Sequence, residues 1–294
     1  MKPAKFEYLR AESIDQVVQA LDQGDGETIV LAGGQTLMPM LAMRLARPAM
    51  VVDINHVAEL SGVEILNEVE GDGELVIMAC TRQAEALVSP LIQEHAPLLS
   101  KAIAFVGHRQ TRNRGTVGGS LAHADPASEI PLAALALDAW VSLRSVAGTR
   151  RLPLADYFHG PMMTARAENE ILLSLHIPRA PGTRGAGFHE VSERRGDFAV
   201  VAAAAVIGVD ERGVCDHAAL AIGGADGRPR RIGAVEDKLR GQRLDGVAIA
   251  GQLSEIGAAL APGADQHAGA AYRLRVARVL AERALLEALA EAGP

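Results

Sequence analysis

The sequence is poor in cysteine, in aromatic residues and in excess basic charge. Of its 294 residues, two are cysteines, Cys80 and Cys215. They lie far apart and form no CxxC pair, so this chain alone cannot ligate an iron–sulfur cluster or a multi-cysteine zinc ion. Such sparse thiols point to a reducing, cytoplasmic compartment, with both cysteines serving as small buried hydrophobes. Aromatic residues make up 3% of the chain, too few for platforms that stack single-stranded bases. Lys and Arg total 29 against 36 Asp and Glu, a net charge of -7, which argues against a nucleic-acid partner. No run of about 18 uncharged apolar residues occurs, so no transmembrane segment is expected. The opening MKPAKFEYLRAES lacks the apolar core of a secretory signal. Also missing are GxGxxG, GxxxxGK[ST], HExxH and GxSxG, which lowers the case for a Rossmann site, a P-loop, a zincin or a serine hydrolase.

What is present is the composition of a folded protein: 49% hydrophobic and 22% charged residues. The length predicts two domains. Ser13 is placed to cap a helix carrying Ile14, Val17, Val18 and Leu21 on one face. TIVLA at 28–32 and MVVDI at 50–54 read as buried strands around a helix over about 37–45. Further strands are expected at 75–79, 140–143 and 171–177, with helices near 81–87, after Pro97 and over 130–136. The segment 107–128 reads as a long polar, glycine-rich loop. PRAPGTRGAG at 178–187 is the expected boundary between domains. Beyond it, strands at 187–191, 198–209 and 218–222 precede helices near 232–239, 247–260 and 268–292. The last helix carries Tyr272, Val276, Val279, Leu280 and Leu286 as its apolar stripe.

Two glycine segments stand out. Ala32-Gly33-Gly34-Gln35-Thr36 lies between a strand and a helix. Paired glycines let backbone N–H groups approach a diphosphate, and the helix adds a positive N-terminus. A plain strand-to-helix turn is the bland alternative. Thr116-Val117-Gly118-Gly119-Ser120 is a second pair, preceded by RQTRNRG and followed by Asp125-Pro126-Ala127-Ser128-Glu129. It reads as the other wall of one cleft for a long, phosphate-bearing ligand, or else as a solvated surface loop.

Three motifs in order then carry a resemblance that covers nearly the whole chain. AGGQT at 32–36 with LMPMLAMRLARP, RNRGTVGGSLAHADPASEIP at 112–131, and GFHEVSERRGDFAVV at 187–201 resemble the signatures of molybdenum hydroxylase flavoprotein subunits, of the carbon monoxide dehydrogenase and xanthine dehydrogenase type. The resemblance implies an α+β architecture: a vanillyl-alcohol-oxidase (PCMH)-type FAD-binding domain over 1–178, built of two α/β subdomains (about 1–56 and 57–178), then a flavoprotein C-terminal α+β domain over 185–294. It implies non-covalent FAD, with Ala32, Gly33, Gly34, Gln35, Thr36 and Leu37 on one side of the diphosphate and Thr116, Gly118, Gly119 and Ser120 on the other. Asp125 and Glu129 fall where the family places polar residues near the cofactor, Glu129 standing where Asp is usual. His189 stands where xanthine dehydrogenase-like members carry a flavin-holding lysine, and Glu193 where they carry an arginine. Asp197 matches the family pattern.

The implied function is a FAD-binding medium subunit of an oxidoreductase complex. Electrons would come from [2Fe–2S] clusters on a small subunit, fed by a molybdopterin large subunit, and leave to an external acceptor. A dimer of heterotrimers is implied. No side chain of this chain need act as acid or base. A self-contained FAD oxidase or reductase and a non-catalytic assembly subunit remain the alternatives.

Overall fold

The computed structural model describes residues 2–66, 73–179 and 184–293. Its first unit is a parallel sheet of three strands, β1 (Glu7–Arg10), β2 (Thr28–Leu31) and β3 (Met50–Asp53), in the order β1-β3-β2. Helix α1 (Ile14–Gln23) crosses between β1 and β2, and α2 (Leu37–Ala42) between β2 and β3. Ser13 caps α1, its Oγ accepting from the Gln16 N–H at 3.3 Å, and Val17, Val18 and Leu21 are buried. Strand β1 is unexpected from sequence, because EYLR exposes most of its side chains and shows no apolar alternation.

The second unit is an antiparallel sheet of five strands: β4 (Val63–Leu66), β5 (Glu74–Met78), β6 (Trp140–Ser145), β7 (Gly148–Pro153) and β10 (Ile171–Pro178), in the order β4-β5-β10-β6-β7. Between β5 and β6 run α3 (Gln83–Val88), α4 (Pro90–His95), α5 (Pro97–Ile103), α6 (Arg109–Arg114), α7 (Val117–His123) and α8 (Glu129–Ala136). The segment 107–128 is therefore not a loop, as expected, but two short helices. Thr116 caps α7, so the glycine pair forms that helix's first turn. All eight residues of α8 are buried, which explains its lack of a polar face. A short α9 (Leu154–Tyr157) leads into the small hairpin of β8 (Phe158–Gly160) and β9 (Met163–Thr164).

The third unit is an antiparallel sheet of β11 (Arg184–Ser192), β12 (Ala199–Val209), β13 (Cys215–Gly223) and β14 (Arg230–Arg231) in sequence order. Helices α10 (Gly233–Leu239), α11 (Gly246–Gln252), α12 (Ile256–Ala259) and α13 (Ala270–Ala292) follow. β12 reads AVVAAAAVIGV because both its faces are covered. Ala202, Ala204 and Val206 join the core beneath α5 and α8, while Val201, Ala203, Ala205 and Ile207 join the core under α13. One hydrophobic core therefore runs from the second unit into the third. Of the expected boundary 178–187, residues 180–183 lie outside those described.

The expected stripe of α13 needs correction. Tyr272, Val279 and Leu286 are partly exposed, and the buried line is Ala277, Leu280, Ala281, Ala284, Leu285, Ala288 and Ala292. Small residues win because α13 lies almost on the strand. A Cβ added at Gly185 would fall 1.9 Å from the Ala288 carbonyl oxygen, and one at Gly187 would fall 2.0 Å from that of Ala284. Larger side chains on that line would hold the helix off the sheet.

Candidate functional site

A cleft of about 550 Å³ opens between the first and second units. Ala32, Gly33, Gly34, Gln35, Thr36 and Leu37 line it, and so do Thr116, Gly118, Gly119, Ser120, Asp125 and Glu129. The β11–β12 turn contributes Gly196, Asp197 and Phe198 at the rim. The structure thus brings together the residues that the resemblance assigns to the cofactor, except His189 and Glu193, which do not line the cleft. Strand alternation turns Gly187 and His189 toward α13, where His189 Nε2 lies 3.1 Å from Glu287 Oε2. Glu193 is also committed elsewhere, to His267 at 2.7 Å.

The first glycine segment has free donors. The N–H groups of Gly33, Gly34, Gln35 and Thr36 meet no acceptor among the described residues. Gly34 has φ +70°, a left-handed conformation that favours glycine. Gly33 packs against the second segment: a Cβ there would fall 2.5 Å from the Arg114 carbonyl oxygen and 2.8 Å from Gly115 Cα.

The second segment differs. Val117 N–H donates to the Thr81 carbonyl at 3.0 Å, Gly118 N–H to the Ala79 carbonyl at 2.9 Å, and Gly119 N–H to Thr116 Oγ1 at 3.1 Å. Its first-turn donors are already used. A Cβ on Gly118 would fall 2.5 Å from Ala79 Cβ, so this glycine allows α7 to sit on the end of β5. A side chain at Gly118 would therefore meet Ala79 first. This segment shapes a wall, and the anion-seeking donors belong to the first.

Arg82 and Asn55, which belong to no motif, tie the two segments together, and Gln83 packs against the second. Arg82 Nη1 donates to the Arg114 carbonyl at 2.5 Å, and Nη2 donates to Asn55 Oδ1 at 2.6 Å. Asn55 Nδ2 in turn donates to the Ala32 carbonyl at 2.9 Å. Gln83 donates its backbone N–H to the Gly115 carbonyl at 2.9 Å, while its Oε1 is buried beside the cleft without a partner.

The wall is acidic at one point. Burial pushes the Glu129 carboxyl up to about 8, against the pull of its own backbone N–H, and the negative charges of Glu190 and Asp125 push the same way. Burial likewise pushes Glu190 up to about 7, and a hydrogen bond from Ser192 opposes it. Glu170 is the contrast: burial raises it, yet Arg150 grips both its oxygens at 2.6 and 2.8 Å and holds it below the ordinary range.

Residues 4–180 match the family described as the FAD binding domain in molybdopterin dehydrogenase. The chain belongs to this family. Residues 186–288 of the flavoprotein match the CO dehydrogenase flavoprotein C-terminal domain. It is 37% identical to the 6-hydroxypseudooxynicotine dehydrogenase complex subunit alpha of Paenarthrobacter nicotinovorans, over 100% of this chain and 98% of that one. Its fold superimposes on a chain of carbon monoxide dehydrogenase from Hydrogenophaga pseudoflava with a TM-score of 0.93, at 31% identity, covering 99% of each. It also superimposes on a chain of quinoline 2-oxidoreductase from Pseudomonas putida 86 with a TM-score of 0.91, at 32% identity, again over 99% of each.

The residues present fit FAD. The N–H groups of 33–36, unpartnered among the described residues, suit a diphosphate, and the glycine contact at Gly33 leaves that backbone bare. The two thiols are another matter. Cys80 and Cys215 are buried in different cores, and burial pushes them up to about 12 and about 11. They are inert packing residues.

Proposed function

We propose that this flavoprotein is the medium subunit of a multi-subunit, cytoplasmic molybdenum hydroxylase. In that reading it takes electrons from [2Fe–2S] clusters on a small partner subunit, supplied by a molybdopterin centre on a large one. It passes them to an external acceptor within a dimer of heterotrimers. The observation that carries it is the cleft itself, lined by four residues whose backbone N–H groups have no partner among the described residues and bounded by a wall that Arg82 holds in place. FAD, when bound, supplies electron acceptance in single or paired steps. The chain's residues bind and orient it: Gly33 to Thr36 donate to the diphosphate, α7 and α8 form the opposing wall, and the β11–β12 turn bounds the mouth.

The rim supports a docking role for part of 107–128. Arg109 and Arg114 of α6 are exposed, and among the described residues neither side chain has an acidic partner. The turn carrying Gly196 packs against Gly107 and His108, so cleft mouth and α6 form one surface. The test is purification of the chain with and without its partners. Acid should release free FAD from the purified chain, and complexes should contain molybdenum and iron. A chain without flavin would overturn the reading in favour of an assembly subunit.

A further inference from the structure

Glu129 opens α8 and is 4% exposed, yet it lines the cleft. Its surroundings are unusual for a buried carboxyl. On β11, Glu190 faces the same core as Phe188, and its Oε2 is buried with no hydrogen-bond partner among the described residues. Asp125, in the turn before α8, is a third carboxyl, bound to the Ala127 N–H at 2.8 Å. Among the described residues no cation pairs with these acids. Arg150 is taken by Glu170, and Arg166 donates to the carbonyls of Ala167 and Glu170 at 2.9 and 2.7 Å. His123 of α7 and Asp197 of the β11–β12 turn are the cleft's other titratable groups.

A charged carboxylate so placed carries a large cost in lost hydration and in repulsion from its acidic neighbours. It would also face a cofactor that carries negative charge on its diphosphate. Keeping the proton removes these costs and converts an acceptor-only group into one with an O–H donor. We propose that Glu129 stands in the cleft wall as a neutral carboxylic acid, a hydrogen-bond donor toward the bound cofactor, with Glu190 as the positioning residue that keeps the proton there. This rests on the FAD reading and extends it. The carbonyl and ring-nitrogen acceptors of FAD are the groups that such a donor would satisfy.

The test uses the full chain with 13C-labelled glutamate, with and without FAD. The Cδ resonance that disappears in Glu129→Gln identifies the residue. Its midpoint is expected near 8 in the wild-type chain, and Glu190→Gln should move it to lower pH by removing a nearby negative charge. FAD affinity should fall by about tenfold per pH unit above the midpoint, since only the protonated form donates. In Glu129→Gln, an isosteric neutral donor, it should stay level over the same range. A Glu129 resonance titrating in the ordinary carboxylate range, in a chain that binds FAD, would overturn the proposal. An unmoved midpoint in Glu190→Gln would overturn the role given to Glu190. A protonated Glu129 in a chain that binds no FAD at any pH would overturn the cofactor reading and with it the donor role, and is thereby distinguishable from the other failures.

Discussion

Arg82 and Asn55 meet at 2.6 Å, guanidinium to side-chain carbonyl, and through this pair the two glycine segments share one support. Arg82 reaches Arg114 on one side, and Asn55 reaches Ala32 on the other. Hydrogen bonds from a charged donor contribute about 1.5–3 kcal/mol each. Arg82→Ala should therefore weaken FAD binding by roughly ten- to a hundredfold. Arg82→Lys should fall between, because an ammonium lacks the planar fork that reaches both carbonyls. Titration of the apo-chain with FAD, read by flavin fluorescence, measures this. Unchanged affinity in Arg82→Ala would show that the segments hold their register without it.

The glycines are expected to separate into two kinds. Gly33→Ala places a methyl against the Arg114 carbonyl and pushes the segments apart. It should lower FAD affinity while leaving the third unit folded. Gly118→Val drives into Ala79 and the end of β5. Overpacking of this kind costs about 1–3 kcal/mol or more, so its main effect should be on folding. Comparing urea midpoints with flavin content in the two variants separates these outcomes.

Much of the site was legible in the sequence because it is local. The strand–glycine–helix order at 28–42 and the capping of α1 by Ser13 follow from residues within a few positions of each other. The rest depends on distant contacts. α7 was hidden because glycines disfavour helix, and only the approach of Ala79 shows why Gly118 is needed there. Arg82 and Asn55 are 27 residues apart and carry no motif. The buried line of α13 could not be read from apolarity, since the closeness of Gly185 and Gly187 favours alanine over Tyr272 and Val279. The family position of His189 suggests a flavin contact, but strand alternation turns it to α13.

Stability of the apo-chain should fall as pH rises. An unfolded glutamate titrates near 4.3, whereas burial pushes Glu129 up to about 8 in the fold. Between those values the folded chain holds a proton that the unfolded chain has released, so each step up in pH favours unfolding. The loss is complete above about 8, and Glu190 adds a similar slope that ends near 7. Glu129→Gln should flatten most of this dependence and raise Tm at pH 8 relative to wild type. A wild-type Tm unchanged between pH 5 and pH 8, beside an equally flat variant, would contradict the assignment.

Lys101 joins the second and third units. Its ammonium contacts Glu287 and Glu291 of α13 at 2.5 and 2.7 Å, and donates to the Ala186 carbonyl at 2.8 Å. Glu287 also accepts from the Phe188 N–H at 3.2 Å and lies beside His189. Lys101→Met leaves two partly buried acids without their cation and should destabilise the chain by about 1–3 kcal/mol. Adding Glu287→Gln should recover part of the loss. A double variant no more stable than Lys101→Met alone would show that the charge pairing is not what links the units.

The isolated chain is expected to bind FAD and to perform no substrate-dependent reduction of it. Hydroxylation with water requires a molybdenum centre, and delivering its electrons to flavin one at a time requires iron–sulfur relays. A [2Fe–2S] cluster needs four thiolate ligands or their histidine substitutes. This chain has Cys80 and Cys215, in separate cores and with their thiols held protonated by burial. Among the described residues no three His, Cys, Asp or Glu side chains are grouped to hold a metal ion. On the function proposed above both centres come from partners, and the surface formed by α6 and the β11–β12 turn is the proposed approach for a cluster. The purified chain should bleach with a chemical reductant and stay oxidised with organic substrate. Adding the molybdenum and iron–sulfur subunits should restore substrate-driven bleaching, and Arg109→Glu with Arg114→Glu should weaken that restoration more at low salt than at high salt. Substrate-driven bleaching in the isolated, metal-free chain would instead mark a self-contained oxidase.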